Sequence, residues 1–469
     1  MSKHSYDVLI IGSGSAGFSA AEAAASLGAR VCMIEKGKLG WECPNLACIP
    51  SKALLAAARA FRNVQETKTF GVACGAVAFD FEHIMRYRDR VVEKLTGGGV
   101  HGDRYEQLLK EMKVDVVYGN AVFEDDHNVL VAGDRFEAKA IVIATGSTDF
   151  IPDIPGLDQI HFWHWYDALS KKRQPKALAI IGGGPVACEI ATFYATLGTR
   201  IVLIQRSARL LTREDEECAR FAEDRLRAMG VEIVMNAVVS NIVDGRGGVY
   251  GVHVDVQGTK TMHAVEQVVV ATGKRARLSG LEEAHVSVDP RGSIMITNEQ
   301  QTNKKHLFAA GDVCGSGLML TSTSHHEGFV AGYNAALFAL NKRTPKMKQD
   351  ERVVPRITFV EPEFASVGAV AGSIKEKHGS VLVGRAEIQN LGRAFADHAP
   401  NGIVKLAAHP KTRKVLGGAI IGPHAGEIIH EVALAIYANL TVDKLAEMIH
   451  AFPTYSEAVT NAASNLTLE

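Results

Sequence analysis

Apolar residues in this chain gather in short runs that stop at glycine and alternate with alanine-rich stretches of helical character. The first run, Tyr6-Asp-Val-Leu-Ile-Ile, has strand character and is followed by Gly12-Ser-Gly14-Ser-Ala-Gly17, a helix, and a second strand Arg30-Val-Cys-Met-Ile that ends at Glu35. This predicts a βαβ unit. The pattern recurs as Ala177-Leu-Ala-Ile-Ile, Gly182-Gly-Gly184-Pro-Val-Ala187, a helix, and Arg200-Ile-Val-Leu-Ile, ending at Gln205. In both copies the strand end lies 23 residues beyond the first glycine, at Glu35 and at Gln205. Two further strand-to-glycine signals, Ile141-Val-Ile-Ala-Thr145-Gly146 and Val268-Val-Val-Ala-Thr-Gly273, occupy matching places after each unit and extend the repeat. Another apolar run, His306-Leu-Phe-Ala-Ala-Gly, delivers the carboxylate of Asp312 at its end. Residues 341–350 turn polar and basic and read as a linker, beyond which strands at 401–408 and 414–421 and helices at 425–438 and 442–450 predict a separate α+β domain.

The glycines of such a turn permit a tight bend and close approach of a pyrophosphate to the free N–H groups of the following helix. A single glycine turn also serves ordinary helix packing; two copies with matching flanks point to two dinucleotide sites or a duplication. Glu35 suits a bare ribose diol, whereas Gln205-Arg206 removes a repelling carboxylate and supplies a guanidinium for a 2′-phosphate, favouring NADPH over NADH. The alternative places Arg206 on a solvated loop beside Arg209 and Arg213.

The 469 residues are 47% hydrophobic, with 51 Lys and Arg against 52 Asp and Glu, so several cores are expected but no field that would gather nucleic acid. No apolar run reaches the length of a membrane span, and no signal peptide is read, so the expectation is a cytoplasmic protein with no membrane partner. Seven cysteines are too few for a disulfide scaffold of this size, and only Cys43 and Cys48 form a close pair. They precede an amphipathic helix carrying Leu54, Leu55, Ala58 and Phe61. A thiol at a helix entrance gains acidity, so a nucleophile or electron relay is one reading and two buried, inert thiols the other. The spacing does not match a zinc pair, and no metal is expected. With residue 48 already helical, Lys52 shares its face.

With these residues assembled, the chain resembles the FAD-dependent pyridine nucleotide–disulfide oxidoreductases, the family of lipoamide dehydrogenase, glutathione reductase and mercuric reductase. The resemblance covers essentially the whole chain. It rests on Gly12, Gly14, Gly17 and Glu35, on Gly40-Trp-Glu-Cys43-Pro-Asn-Leu-Ala-Cys48-Ile-Pro-Ser-Lys52, and on Ala144-Thr145-Gly146. It continues through Gly182-Gly-Gly184-Pro-Val-Ala-Cys-Glu189, Ala271-Thr-Gly273, Ala310-Gly-Asp312 and Pro453-Thr454 with Ser456-Glu457. The resemblance implies two Rossmann-like dinucleotide-binding domains plus a C-terminal α+β dimerisation domain. Residues 1–150 and 275–345 would bind FAD, 151–274 NAD(P)H, and 346–469 would form a homodimer. It further implies that Cys48 lies next to the flavin, that Cys43 is the outer thiol, that Lys52 meets Glu189 beside the ring, and that Asp312 faces the ribityl chain.

One position departs from the pattern. Where the disulfide reductases of this family carry an acid/base histidine before Pro-Thr, this chain has Phe452, and a phenyl ring exchanges no proton. Glu457, which orients that histidine in the family, is retained; Thr454-x-x-Glu457 also reads as a capping box. His450 is a possible substitute or a structural residue. Mercuric reductases also lack the histidine, but their terminal cysteine pair is absent here. The acceptor expected is a small disulfide such as lipoamide, with a quinone or metal ion as the alternative, and a non-catalytic FAD-binding sensor or scaffold as a reading of another class.

Overall fold

The computed structural model describes residues 3–245, 247–315, 318–344, 346–399 and 401–469. The chain divides into two compact units, one comprising Met1–Ala53, Glu82–Phe150 and Gly273–Glu351, the other Leu54–Phe81, Ile151–Thr272 and Arg352–Glu469. The chain crosses between them near 53, 81, 150, 272 and 351. The second unit therefore holds both the second βαβ repeat and the C-terminal domain, together with most of the helix Cys48–Glu66.

The first unit is built on a sheet in the order Asp115–Tyr118, Val31–Glu35, Lys3–Ile11, Asp134–Ile143, Asn128–Val131, Ala121–Phe123, with Leu307–Ala309 also paired to Asp134–Ile143. Its central strands are parallel and buried on both faces, which is why they read as unbroken apolar runs rather than alternating ones. The parallel register sets Ile11 opposite Ile34, and the Gly12 amide donates to the Ile34 carbonyl at 2.8 Å. Glu35 consequently stands beside the glycine turn.

Helix Ser15–Ser26 leaves that turn and packs on helix Thr321–Ala339. The contact is made at backbone distance: a Cβ on Gly328 would come within 2.1 Å of the Ala16 carbonyl oxygen, and one on Gly332 within 2.1 Å of that of Ala20. The alanine-rich composition of the first helix is thus a packing requirement.

The second unit contains a parallel sheet ordered Glu232–Val234, Arg200–Ile204, Ala177–Ile181, Gln267–Val270, Trp163–His164, and an antiparallel meander of Ala237–Asp244, Tyr250–Val256 and Thr259–Val265. Ile181 is opposite Ile204, and the Gly182 amide donates to the Ile204 carbonyl at 2.9 Å, the same register as in the first repeat. The equal sequence offset of the two repeats is therefore an equal geometry. Its C-terminal sheet has six strands, in the order Arg356–Thr358, Phe364–Gly368, Val415–Ile421, Ile403–Ala408, Leu382–Glu387, Leu466–Leu468. Helices Ala425–Tyr437 and Glu457–Ser464 cover it. Among the described residues no helix is long and apolar enough to cross a membrane.

Candidate redox site

The cysteine pair lies on a short helical turn, Glu42–Asn45, followed by the long helix Cys48–Glu66, of which Cys48 is the first residue. Trp41 enters the turn with φ of 45°, and the Asn45 side-chain amide ties it down by donating to the carbonyls of Leu39 and Trp41 at 3.1 and 2.8 Å. The segment rests on the first glycine turn, the Gly40 amide donating to the Ser13 carbonyl at 3.1 Å.

Both cysteines are free thiols, and their side chains are joined by a hydrogen bond. That bond, then burial, then the nearby Cys48 charge push the Cys43 thiol well above the usual thiol range, with Thr321 and Lys52 opposing. The Cys48 sulfur lies 3.4 Å from the Thr321 hydroxyl, at the start of helix Thr321–Ala339, and Lys52 stands one turn on, its ammonium donating to the Ser51 hydroxyl at 3.2 Å. Four other thiols lie deeper. Cys32, Cys188, Cys218 and Cys314 are buried, and burial raises each of them, Cys32 to about 12.

The glycine turn tests whether a dinucleotide fits. Gly12 has φ of 102°, and a Cβ there would meet the Ala144 carbonyl oxygen at 2.3 Å; a Cβ on Gly17 would lie 1.8 Å from the Gly12 oxygen. Around Gly14, which caps the helix, the space is open. Two glycines thus close the turn, and the third leaves the helix N-terminus approachable, as a pyrophosphate requires. Glu35 is buried and occupied: one oxygen accepts the Ser13 amide at 2.9 Å and hydroxyl at 2.7 Å, the other the Gly37 amide at 2.8 Å. It holds the turn while retaining lone pairs for a ribose. Thr145 donates to the Arg277 carbonyl at 2.8 Å beside Gly146, and Asp312 accepts the Ser147 hydroxyl at 2.7 Å. The residues fit FAD.

The second turn repeats the design. Gly182 has φ of 125°, with a Cβ there 2.2 Å from the Ala271 oxygen, and the space around Gly184 is again open. Gln205 lies over Gly183 and donates to the Arg209 carbonyl at 3.2 Å. Arg209 is committed to folding the loop, through the carbonyls of Leu210, Leu211, Thr212 and Glu214. Arg206, by contrast, is exposed at the strand end. Gly273, with φ of 105°, accepts the Phe150 amide at its carbonyl at 2.9 Å. Glu189, on helix Pro185–Thr196, is buried and accepts the Phe359 amide at 3.1 Å.

Near the C-terminus the polar groups are engaged. The His450 side chain is only 7% exposed, its Nε2 lying 3.0 Å from Glu431 and its Nδ1 2.7 Å from the Thr460 hydroxyl. Burial raises Glu431, with His450 opposing. Glu457 accepts the Thr454 amide at 2.8 Å, half of the expected capping box; the Thr454 hydroxyl turns instead to the Ala451 carbonyl. Phe452 is 79% exposed.

Sequence reasoning missed several partners. Glu42 pairs with Lys274, distant in the chain, and nothing local announces it. Thr321 is as remote from Cys48, and Glu431 and Thr460 reach His450 from other elements 19 and 10 residues away. Away from the cysteines, Asp126, His127 and His306 bring ligand-type atoms within 4.8 Å of one another, but Asp126 is held by Lys304 at 3.0 Å and the two imidazoles are stacked.

Comparison with known proteins follows the same lines. Residues 6–328 match the family described as pyridine nucleotide-disulphide oxidoreductase, and residues 354–463 match its dimerisation domain. The chain is 32% identical over 460 residues to a mercuric reductase of Staphylococcus aureus, covering 98% of this chain and 82% of that protein. It is 33% identical over 469 residues to a dihydrolipoyl dehydrogenase of Geobacillus stearothermophilus, covering 97% and 95%. Among solved structures, the HOCl-induced flavoprotein disulfide reductase RclA of Escherichia coli aligns with a TM-score of 0.83 at 26% identity, covering 98% of this chain and 99% of that one. The same protein has also been solved as a Cu(II) complex, which aligns with a TM-score of 0.84.

Proposed function

We propose that this chain, which belongs to the FAD- and NAD(P)H-dependent pyridine nucleotide–disulphide oxidoreductase family, draws electrons from NADPH and delivers them through Cys43 and Cys48 to a thiophilic metal ion. FAD, when bound, supplies the two-electron relay between nicotinamide and sulfur. Gly12, Gly14, Gly17, Glu35, Lys52, Thr145, Gly146 and Asp312 hold it, within 1–150 and 275–345. Gly182, Gly184, Gln205, Arg206 and Gly273 hold the nicotinamide cofactor, within 151–274. Residues 346–469 join two copies.

Cys48 is the inner sulfur, Lys52 the cation that steadies negative charge beside it, and Cys43 the outer thiol that meets the acceptor. Reduction breaks the S–S bond and leaves two thiols. When the dithiol gives up two electrons the bond re-forms and two protons leave for solvent.

The observation that carries the choice of acceptor is the commitment of His450 to Glu431 and Thr460. With Phe452 in the acid/base position and Glu457 holding an amide, no group of that segment stands ready to protonate a leaving sulfur. A metal ion such as Hg(II) or Cu(II) needs none, and the likeness to mercuric reductases supports it. The sequence-based expectation of a small disulfide is the second reading, favoured by the hydrogen-bonded pair and the likeness to dihydrolipoyl dehydrogenases.

Anaerobic NADPH oxidation with Hg(II), Cu(II), a quinone, lipoamide and glutathione disulfide in parallel tests the assignment. Metal-ion turnover that falls at least tenfold in Cys43→Ser is expected. Lipoamide turnover exceeding that with both ions would replace the metal by the disulfide; full activity in Cys43→Ser would remove the dithiol from the path.

A further inference from the structure

Glu42 is a carboxylate on the short segment that rests against the first glycine turn. It sits between Gly40, whose amide is bonded to the Ser13 carbonyl of the glycine turn, and Cys43. Its carboxyl feels the charges of Asp312 and Asp149 as well as its ion partner Lys274. Both Glu42 and Lys274 have side chains only 22% exposed. Burial pushes Glu42 above the usual carboxylate range in spite of Lys274, and Asp312 and Asp149 act in the same direction, so without the lysine the charges facing Glu42 would all be negative and would oppose a further anion. Lys274 reaches this place from a fixed base: it opens strand Lys274–Ala276, which pairs antiparallel with Ser147–Asp149, and its Cα partner is Asp149.

We propose that Lys274 is a cofactor-affinity residue of this chain that acts by charge compensation: it neutralises Glu42, and so allows the doubly anionic pyrophosphate of FAD to settle at the first glycine turn. Glu42 and Lys274 are then a matched pair, harmless together and costly when the lysine alone is lost. This rests on the assignment of that turn to FAD.

The test is titration of FAD into the apoprotein, followed by quenching of FAD fluorescence, for the full chain and for Glu42→Gln, Lys274→Met and the double variant, with circular dichroism to establish folding. Lys274→Met is expected to raise the Kd for FAD at least about tenfold, because it leaves a partly buried carboxylate unpaired beside an anion. Glu42→Gln leaves the Kd unchanged or lowers it, and the double variant returns to within about threefold of the parent. Should Lys274→Met fail to fold, Lys274→Gln takes its place in the cycle and is read by the same criteria. Wild-type affinity in Lys274→Met overturns the proposal, as does a double variant as weak as Lys274→Met or as unable to fold, or a tenfold loss in Glu42→Gln. A parent chain that binds no FAD at all would instead remove the cofactor assignment, and the proposal with it.

Discussion

Arg206 and Arg209 lie three residues apart and carry the same charge, yet only one is available to a ligand. Arg209 is bound to four carbonyls of its own loop, whereas Arg206 is exposed where the second parallel strand of the repeat ends. A guanidinium that recognises a 2′-phosphate acts on NADPH and not on NADH. Arg206→Ala is therefore expected to raise the KM for NADPH at least about tenfold, an order fitting a lost charged hydrogen bond, and to leave that for NADH nearly unchanged. Equal shifts for the two cofactors would show that the loop reads only the shared part of the molecule. The cysteines also separate at this scale. Cys43 and Cys48 are half-buried and Cys74 is exposed, while the other four are buried and raised. A thiol reagent should titrate three groups in the reduced native protein and seven after unfolding; four or more fast groups in the native state would contradict the burial.

At the scale of elements, the glycines divide by what surrounds them. Gly332 lies against the backbone of helix Ser15–Ser26, and Gly14 faces open space at the same helix's entrance. Gly332→Val should cost at least about 3 kcal/mol of stability, since two packed helices have to part, whereas Gly14→Ala should fold normally and lose affinity for FAD alone. Chemical denaturation and FAD titration of the two variants separate these effects; a stable Gly332→Val would show that the helices part at little cost. The contrast also shows what was readable in advance. A βαβ turn is local: Ile11 and Ile34 are paired because the helix between them has the right length, so glycine spacing and the apolar runs disclosed both repeats and their strand ends. The Glu42 ion pair with Lys274 and the bond from His450 to Glu431 depend on how distant elements meet, and no periodicity encodes that. The capping-box reading of Thr454 and Glu457 was half met: Glu457 takes the Thr454 amide, while the threonine hydroxyl donates to the local Ala451 carbonyl and takes no amide.

At the scale of the whole molecule, the second unit carries large apolar residues in the open: Phe395, Leu434, Tyr437, Ile449 at 96% exposure, and Phe452. They fall within or beside the segments matched to a dimerisation domain, and isolated chains rarely leave so many uncovered. Ile449→Glu combined with Tyr437→Glu should shift sedimentation from dimer to monomer, while a parent chain sedimenting as a monomer would leave that surface to another partner. The same unit is tied internally by Lys405, which meets Asp215 at 2.8 Å and Glu217 at 3.0 Å. Burial alone would raise Glu217, but Lys405 and Arg385 outweigh it and hold it below the usual range; burial alone would lower Lys405, but its two carboxylates raise it. The contribution of Glu217 is accordingly present above the ordinary carboxylate pKa and lost as pH falls through its lower folded value, and that of Lys405 is intact until pH climbs past the ordinary lysine range. Lys405→Ala should lower stability at neutral pH by about 3 kcal/mol in urea unfolding, because it strands a buried carboxylate; an unchanged midpoint would show that water replaces the ammonium.

The inward placement of four sulfurs reaches beyond folding. A catalyst that trades in electrons is exposed to the oxidants and poisons of its own trade, and here the vulnerable atoms are sequestered from the working ones. A sub-stoichiometric dose of mercurial or gold reagent would then mark Cys43, Cys48 and the superficial Cys74 before any other sulfur, and on the proposed dithiol route damage at the pair would silence the catalyst without unravelling it.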